Sequence, residues 1–260
     1  MVHLDDNFMK SNTFYIIYIL WLRQIKRYFR SKSRIIGSLG QPILFLVALG
    51  FGLGPVYAKA GGGDYIQFLA PGVIAMGILF TSIFSGIEII WDRQFGFLKE
   101  TLVAPVSRLS IMLGRTLGGA TVACLQGLAV LAISFIAGFR PELAMLPLAV
   151  AFMIGIALVF TALGTAIASV LEDMQGFQLI MNFVVMPIFF LSGALFPLES
   201  LPAAIKFLVN INPLSYGVDG LRYALLGASH FNLGTDIAVL SGFIVAFVGV
   251  GAWLFSRIKA

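Results

Sequence analysis

Long apolar runs alternate with short polar islands along this chain, and the runs predict helices that cross a bilayer. A spanning helix needs about 20 residues. Six runs approach or exceed that length, at about 35–57, 65–90, 109–138, 145–170, 176–196 and 237–255. Their connectors are mostly short: AKAGGGD after the first, FRPE after the third, and Glu172 with Asp173 after the fourth. Two longer segments interrupt the alternation. Residues 91–115, WDRQFGFLKETLVAPVSRLSIMLGR, form a polar and charged island between the second and third runs. The other interruption separates the last two runs and is apolar, but Pro197, Pro202 and Pro213 prevent it from being one spanning helix. It predicts short helices at about 201–210 and 215–226, in a segment 197–227 that lies at or dips into the outer leaflet. Non-helical backbone at that depth must be covered by protein or line a wet cavity.

Ahead of the first run, Phe14, Ile17, Tyr18, Trp21, Ile25, Tyr28 and Phe29 recur at three- and four-residue steps, with Arg23, Lys26, Arg27 and Arg30 largely between them. This is the pattern of an amphipathic interfacial helix over 11–34, aromatics at headgroup depth and cations toward anionic lipid. A cleaved leader fits less well, because Asp5 and Asp6 spoil the basic start and no small-residue cleavage site follows Leu22.

Composition agrees with the pattern. The chain is 59% hydrophobic and 11% charged, with a mean hydropathy of +0.98, which excludes an ordinary soluble globule. The expected fold is an all-α integral membrane protein, with six transmembrane helices in a single domain over 1–260. The lone Cys124 lies in an apolar run and has no intrachain partner for a disulfide. The surplus of 17 Lys and Arg over 12 Asp and Glu reports topology here, and no nucleic-acid partner is expected. Lys10, Arg23, Lys26, Arg27, Arg30, Lys32, Arg34, Arg93, Lys99, Arg108, Arg115, Arg257 and Lys259 fall on one side of a six-span topology, leaving Lys59, Arg140, Lys206 and Arg222 on the other. That imbalance predicts a multi-pass protein of the cytoplasmic membrane with both termini in the cytoplasm.

Candidate chemistry is sparse. The chain has no Gly-x-x-x-x-Gly-Lys-Ser/Thr phosphate loop, His-Glu-x-x-His, Gly-x-Ser-x-Gly or Cys-x-x-Cys motif. It is expected to bind no cofactor or metal and to catalyse no reaction itself. Gly50 and Gly54 make a Gly-x-x-x-Gly spacing, readable as a close helix contact or as fraying before Pro55. Glu88, near the end of the second run, either pairs with an arginine at the interface or serves coupling or gating. An intramembrane lipid-modifying enzyme would have to use Glu88, Asp219 and His230, which suggest no nucleophile–base pair. A proton-coupled carrier would show paired, interrupted halves, and no internal repeat supports one.

The two interrupting segments together resemble the permease subunits of type-2 ABC exporters, the family of daunorubicin-resistance, nodulation-factor and O-antigen export permeases. Gly96, Glu100, Pro105, Arg108 and Gly114-Arg115 carry the resemblance in the first segment, and LSGALFPLESLP with NPLSYGVDGLRYALLG in the second. The likeness extends over nearly the whole chain. It implies a coupling helix at about 94–104, closed by Pro105, that docks into a separate ABC ATPase subunit holding ATP and Mg. Phe95, Phe97 and Leu98 would fill an apolar cleft on that subunit, with Arg93, Lys99 and Glu100 at its rim. A second permease subunit is also implied, with a pathway between spans two and five where Met76, Phe80 and Phe84 face Asn182, Met186, Phe189 and Phe190. Such a lining suits a hydrophobic, drug- or lipid-like cargo, with export of O-antigen or another polysaccharide as the alternative.

Overall fold

A computed structural model describes residues 6–61, 63–97, 107–198 and 201–257, with side chains described from residue 13 onward. All regular structure among them is helical. Helix α1 (Asp6–Arg30) is followed by α2 (Lys32–Lys59), α3 (Tyr65–Ser85), α4 (Ile87–Gln94), α5 (Arg108–Ile136) and α6 (Leu146–Val170). Then come α7 (Met174–Phe190), α8 (Ala203–Ile211), α9 (Pro213–Leu226) and α10 (Leu233–Ser256). The expected interfacial helix over 11–34 divides at Ser31, so α1 stops at Arg30 and the first span begins at Lys32.

Five helical stretches are long and apolar enough to cross a membrane, namely α2, α3 with α4, α5, α6 with the short turn before it, and α10. The chain is a multi-pass membrane protein. The seventh helix is shorter than the predicted fifth span. It covers 17 residues, about 25 Å, against a hydrocarbon core of about 30 Å. Instead of running to residue 196 it stops at Phe190, where the Ser192 hydroxyl donates to the Phe189 carbonyl and Gly193 turns left-handed at φ +75°. Inside it, Met181–Val185 form a π-helical turn immediately ahead of Pro187. Proline lacks an amide hydrogen and crowds the carbonyl four residues back, and a wide turn relieves both effects.

Local chemistry sets the other ends. Asp64, Ser107, Asp173, Asn212 and Asn232 each cap a following helix by accepting a backbone amide, as short polar side chains do at helix starts. Helices α3 and α4 form one rod of 30 residues, about 45 Å long, so its end projects past the hydrocarbon. The junction at Gly86 crosses α6 where a Cβ would strike the Gly164 carbonyl. Close backbone crossing through small residues is how membrane helices gain contact without a hydrophobic driving force.

Helix α3 is the core of the bundle, with Leu69 through Leu79 almost wholly buried, and it packs on α2, α5, α6 and α9. The second interrupting segment forms the expected pair of short helices. Helix α8 is largely exposed, whereas α9 is buried nearly throughout and lies against α6, α10 and α3. Gly217 and Gly220 let α9 approach Ile156 and Phe152 of α6. The end of the bundle built by this helical hairpin is the hairpin end. The opposite one, where α1, α4 and the start of α5 meet, is the arginine-rich end.

Candidate coupling site and pathway

Helix α4 places Glu88 and Asp92 one turn apart on the same face, and both are 5% exposed. Two buried carboxylates on one short helix demand partners, and four arginines from three other helices supply them. Glu88 is held by Arg34 of α2 at 3.0 Å and by Arg27 of α1 at 3.4 Å, one on each side of the break at Ser31. Asp92 is held by Arg115 of α5 at 2.5 Å and by Arg23 of α1 at 3.3 Å. The Asp92–Arg115 pair is buried on both sides. Removing one member of such a pair costs about 3–5 kcal/mol, because the other is left charged and dry. The outer arginines are partly exposed, so their contribution is screened and smaller.

The cage rests on a second set of contacts. A Cβ on Gly114 would come within 2.8 Å of the Leu20 Cβ, and one on Gly118 within 2.6 Å of the Gln24 Cγ, so only glycine lets α1 lie this close to α5. Trp21 Nε1 donates to Thr121 Oγ1 at 3.0 Å. The Tyr28 and Ser38 hydroxyls donate to Gln126 Oε1 at 2.9 and 3.0 Å. Burial raises the Tyr28 phenol above its ordinary value, opposed by the nearby Arg34 charge, which keeps it a protonated donor. Arg27 also lies over the Trp91 ring at 5.6 Å.

Arg93, expected at the rim of the docking surface, turns inward. Its Nη1 donates to the Leu171 carbonyl at 2.6 Å and its Nη2 to the Ser169 carbonyl at 2.8 Å, capping the C-terminus of α6. A cation there meets both orphan carbonyls and the negative end of the helix dipole. Phe95 and Phe97, 74% and 54% exposed, come next with Gly96 between them at φ +82°. Gln94 is the last residue of α4, and the left-handed glycine turns the chain before helix resumes at Phe97; the rest of the expected coupling helix lies outside the described residues. Leu98, Lys99, Glu100 and Pro105 lie outside the described residues. Arg108 opens α5, with its Nη1 buried and without a hydrogen-bond partner among the described residues.

Of the expected pathway residues, the structure brings Phe80 and Phe189 together at 6.1 Å between ring centres. Phe45 and Phe190 also touch Phe189. Phe84 meets Phe177 at 6.3 Å. Met76 is fully buried, Met186 is half-buried, and Asn182 and Phe190 are exposed on α7. Asp219 accepts the His230 and Phe231 amides, both at 2.8 Å, at the hairpin end. It thus stands at the far end of the bundle from Glu88. Among the described residues no cluster of His, Cys, Asp and Glu could hold a metal.

The sequence pattern points Arg23 and Arg27 toward lipid and names no partner for Asp92, Arg34 or Arg115, whereas the structure pairs all five in the cage around α4. The signal was present as two spacings: carboxylates at 88 and 92, and arginines at 23, 27, 30 and 34, each set repeating at one helical turn. Lys26 and Arg30 do face outward.

The profile of the ABC-2 type transporter family matches residues 15–226. Nodulation protein J of Rhizobium leguminosarum bv. viciae is 31% identical over 228 residues, covering 86% of this chain and 87% of that protein. The inner membrane transport permease YadH of Escherichia coli K12 is 29% identical over 236 residues, covering 88% and 90%.

Proposed function

This chain belongs to the ABC-2 type transporter family, and on that premise we propose that it is the transmembrane permease subunit of an ATP-driven exporter. Its cargo is hydrophobic, drug- or lipid-like, and leaves across the cytoplasmic membrane. Energy comes from a separate ABC ATPase subunit that holds ATP and Mg, and a second permease subunit completes the pathway. The observation that carries this reading is the caged helix α4. The stretch that follows it carries two exposed phenylalanines, 95 and 97, and the helix is tied by ion pairs and a helix cap to α1, α2, α5 and α6. A push on that tip reaches four helices at once.

The arginine-rich end faces the cytoplasm in this reading, with both termini, because thirteen of the 17 Lys and Arg fall on one side of the topology read from the sequence. Aromatic contacts between α3 and α7 supply an apolar wall along the pathway. The test is co-purification and ATP turnover with the partner ATPase after Phe95→Asp with Phe97→Asp. Both readouts collapse if this tip is the docking element; unchanged binding and turnover refute it.

A further inference from the structure

A cavity of about 390 Å³ opens at the arginine-rich end between α1, α2, α3, α4 and α5. The ion-pair cage accounts for one wall of it and leaves the space itself without a role. Its volume falls in the range of small-molecule sites, about 300–1,000 Å³. The lining is graded along its length. Arg34, partly exposed, marks the mouth with Gln24, Ser33 and Glu88; along α3 Phe84 and Thr81 come next and then Phe80 and Met76, while Gln41 lies about two turns along α2 from Arg34. From Glu88 to Met76 is about 18 Å of helix.

Charge at the mouth is unbalanced. Arg27 and Arg34 share the single carboxylate of Glu88, which leaves one cation in excess. Helix α2 starts at the same place, and no side chain caps its first turn, so the positive end of its dipole adds to the field. Among the described residues, the side chains of Gln24, Gln41 and Thr81 are engaged by no other group. All three are half-buried, so their amide and hydroxyl groups are open to the cavity. Two of these, Gln41 and Thr81, lie in the apolar part, at the depth where an acyl chain joins its headgroup through an ester or amide.

We infer that this cavity binds an amphipathic anion, with a phosphate or carboxylate head at Arg34 and the start of α2, an ester or amide linkage at Thr81 and Gln41, and an apolar tail against Phe80 and Met76. Either a lipid of the adjoining leaflet or the exported cargo has this chemistry. Binding rests on the cavity alone; only naming the occupant as cargo depends on the export reading.

Phe84 lines the cavity beside the tail wall, and Phe84→Trp reports on it once Trp21→Phe, Trp91→Phe and Trp253→Phe remove the native indoles. In the detergent-solubilised chain, a tail-brominated lysophosphatidylglycerol is expected to quench the indole at position 84 saturably. Its zwitterionic choline counterpart should bind about tenfold more weakly, since the mouth selects on charge. Arg34→Gln is expected to abolish that difference and Arg34→Lys to retain most of it, while Thr81→Phe, which fills the middle of the cavity, weakens both probes. Absence of saturable quenching, or equal affinities untouched by all three substitutions, overturns the inference. In vesicles carrying the partner ATPase, ATP-dependent appearance of the bound probe outside identifies it as cargo. Binding without passage identifies a resident lipid, and both results uphold the site.

Discussion

The two ends of the bundle are held together by different chemistry. At the arginine-rich end, helices are joined by charged side chains meeting charged side chains: Glu88 with Arg27 and Arg34, Asp92 with Arg23 and Arg115. At the hairpin end, side chains reach for backbone. Tyr65 donates to the Leu195 carbonyl, Asn212 to that of Ile188 and Arg222 to that of Gly193, while Asp219 accepts two amides. A backbone carbonyl is fixed by its own helix or turn, so these bonds hold one geometry. Two carboxylates among four arginines on three helices are instead held side chain to side chain, with Arg93 alone among that end's described arginines taking backbone carbonyls, those of Leu171 and Ser169.

The sharpest way to break this contrast is at Asp92. Asp92→Leu should lower stability in detergent by about 3–5 kcal/mol, and adding Arg115→Met should recover most of it, since the orphaned Arg115 charge and not the lost bond causes the damage. Thermal unfolding of the single and double variants checks both halves. At the other end, Gly220→Val drives a side chain into the Phe152 ring and should cost about 1–3 kcal/mol by overpacking. Gly54→Val, where a Cβ meets open space, serves as its control in the same melt.

Asn212→Ala removes both the cap of α9 and the bond to Ile188. Its expected cost is about 1–2 kcal/mol, independent of salt. Arg27→Gln touches a partly exposed cation and should cost less than about 1 kcal/mol, an effect that shrinks further between 0.15 and about 1 M salt. A salt-insensitive Arg27→Gln beside a salt-sensitive Asn212→Ala would invert the comparison.

Much of the fold was legible because lipid imposes a simple rule on sequence: every span must be long, apolar and helical. The segments at 35–57, 109–138, 145–170 and 237–255 fall on α2, α5, α6 and α10 within a few residues. The fifth run overshot because LSGALF is apolar enough to continue a span, and hydropathy carries no information about the hydroxyl of Ser192 or the backbone turn at Gly193. The site was less legible for a different reason. Glu88 stood out as a lone carboxylate, but its partner Arg34 lies 54 residues away, and Arg23 lies 69 from Asp92; periodicity is blind to contacts of that range. Small-residue spacing misled in the same way. Gly50-x-x-x-Gly54 drew notice, yet Gly54 faces open space, whereas Gly114-x-x-x-Gly118 seats α1 on α5.

The abbreviated α7 bears on the bilayer as well as on the protein. Leu179, Phe183 and Phe190 are exposed along it, and its length leaves about 5 Å of a typical hydrocarbon core unmatched. Lipid beside it must compress or tilt to meet it, at a cost of fractions of a kcal/mol per Å. Membrane thickness thereby becomes a mechanical load wherever lipid reaches α7.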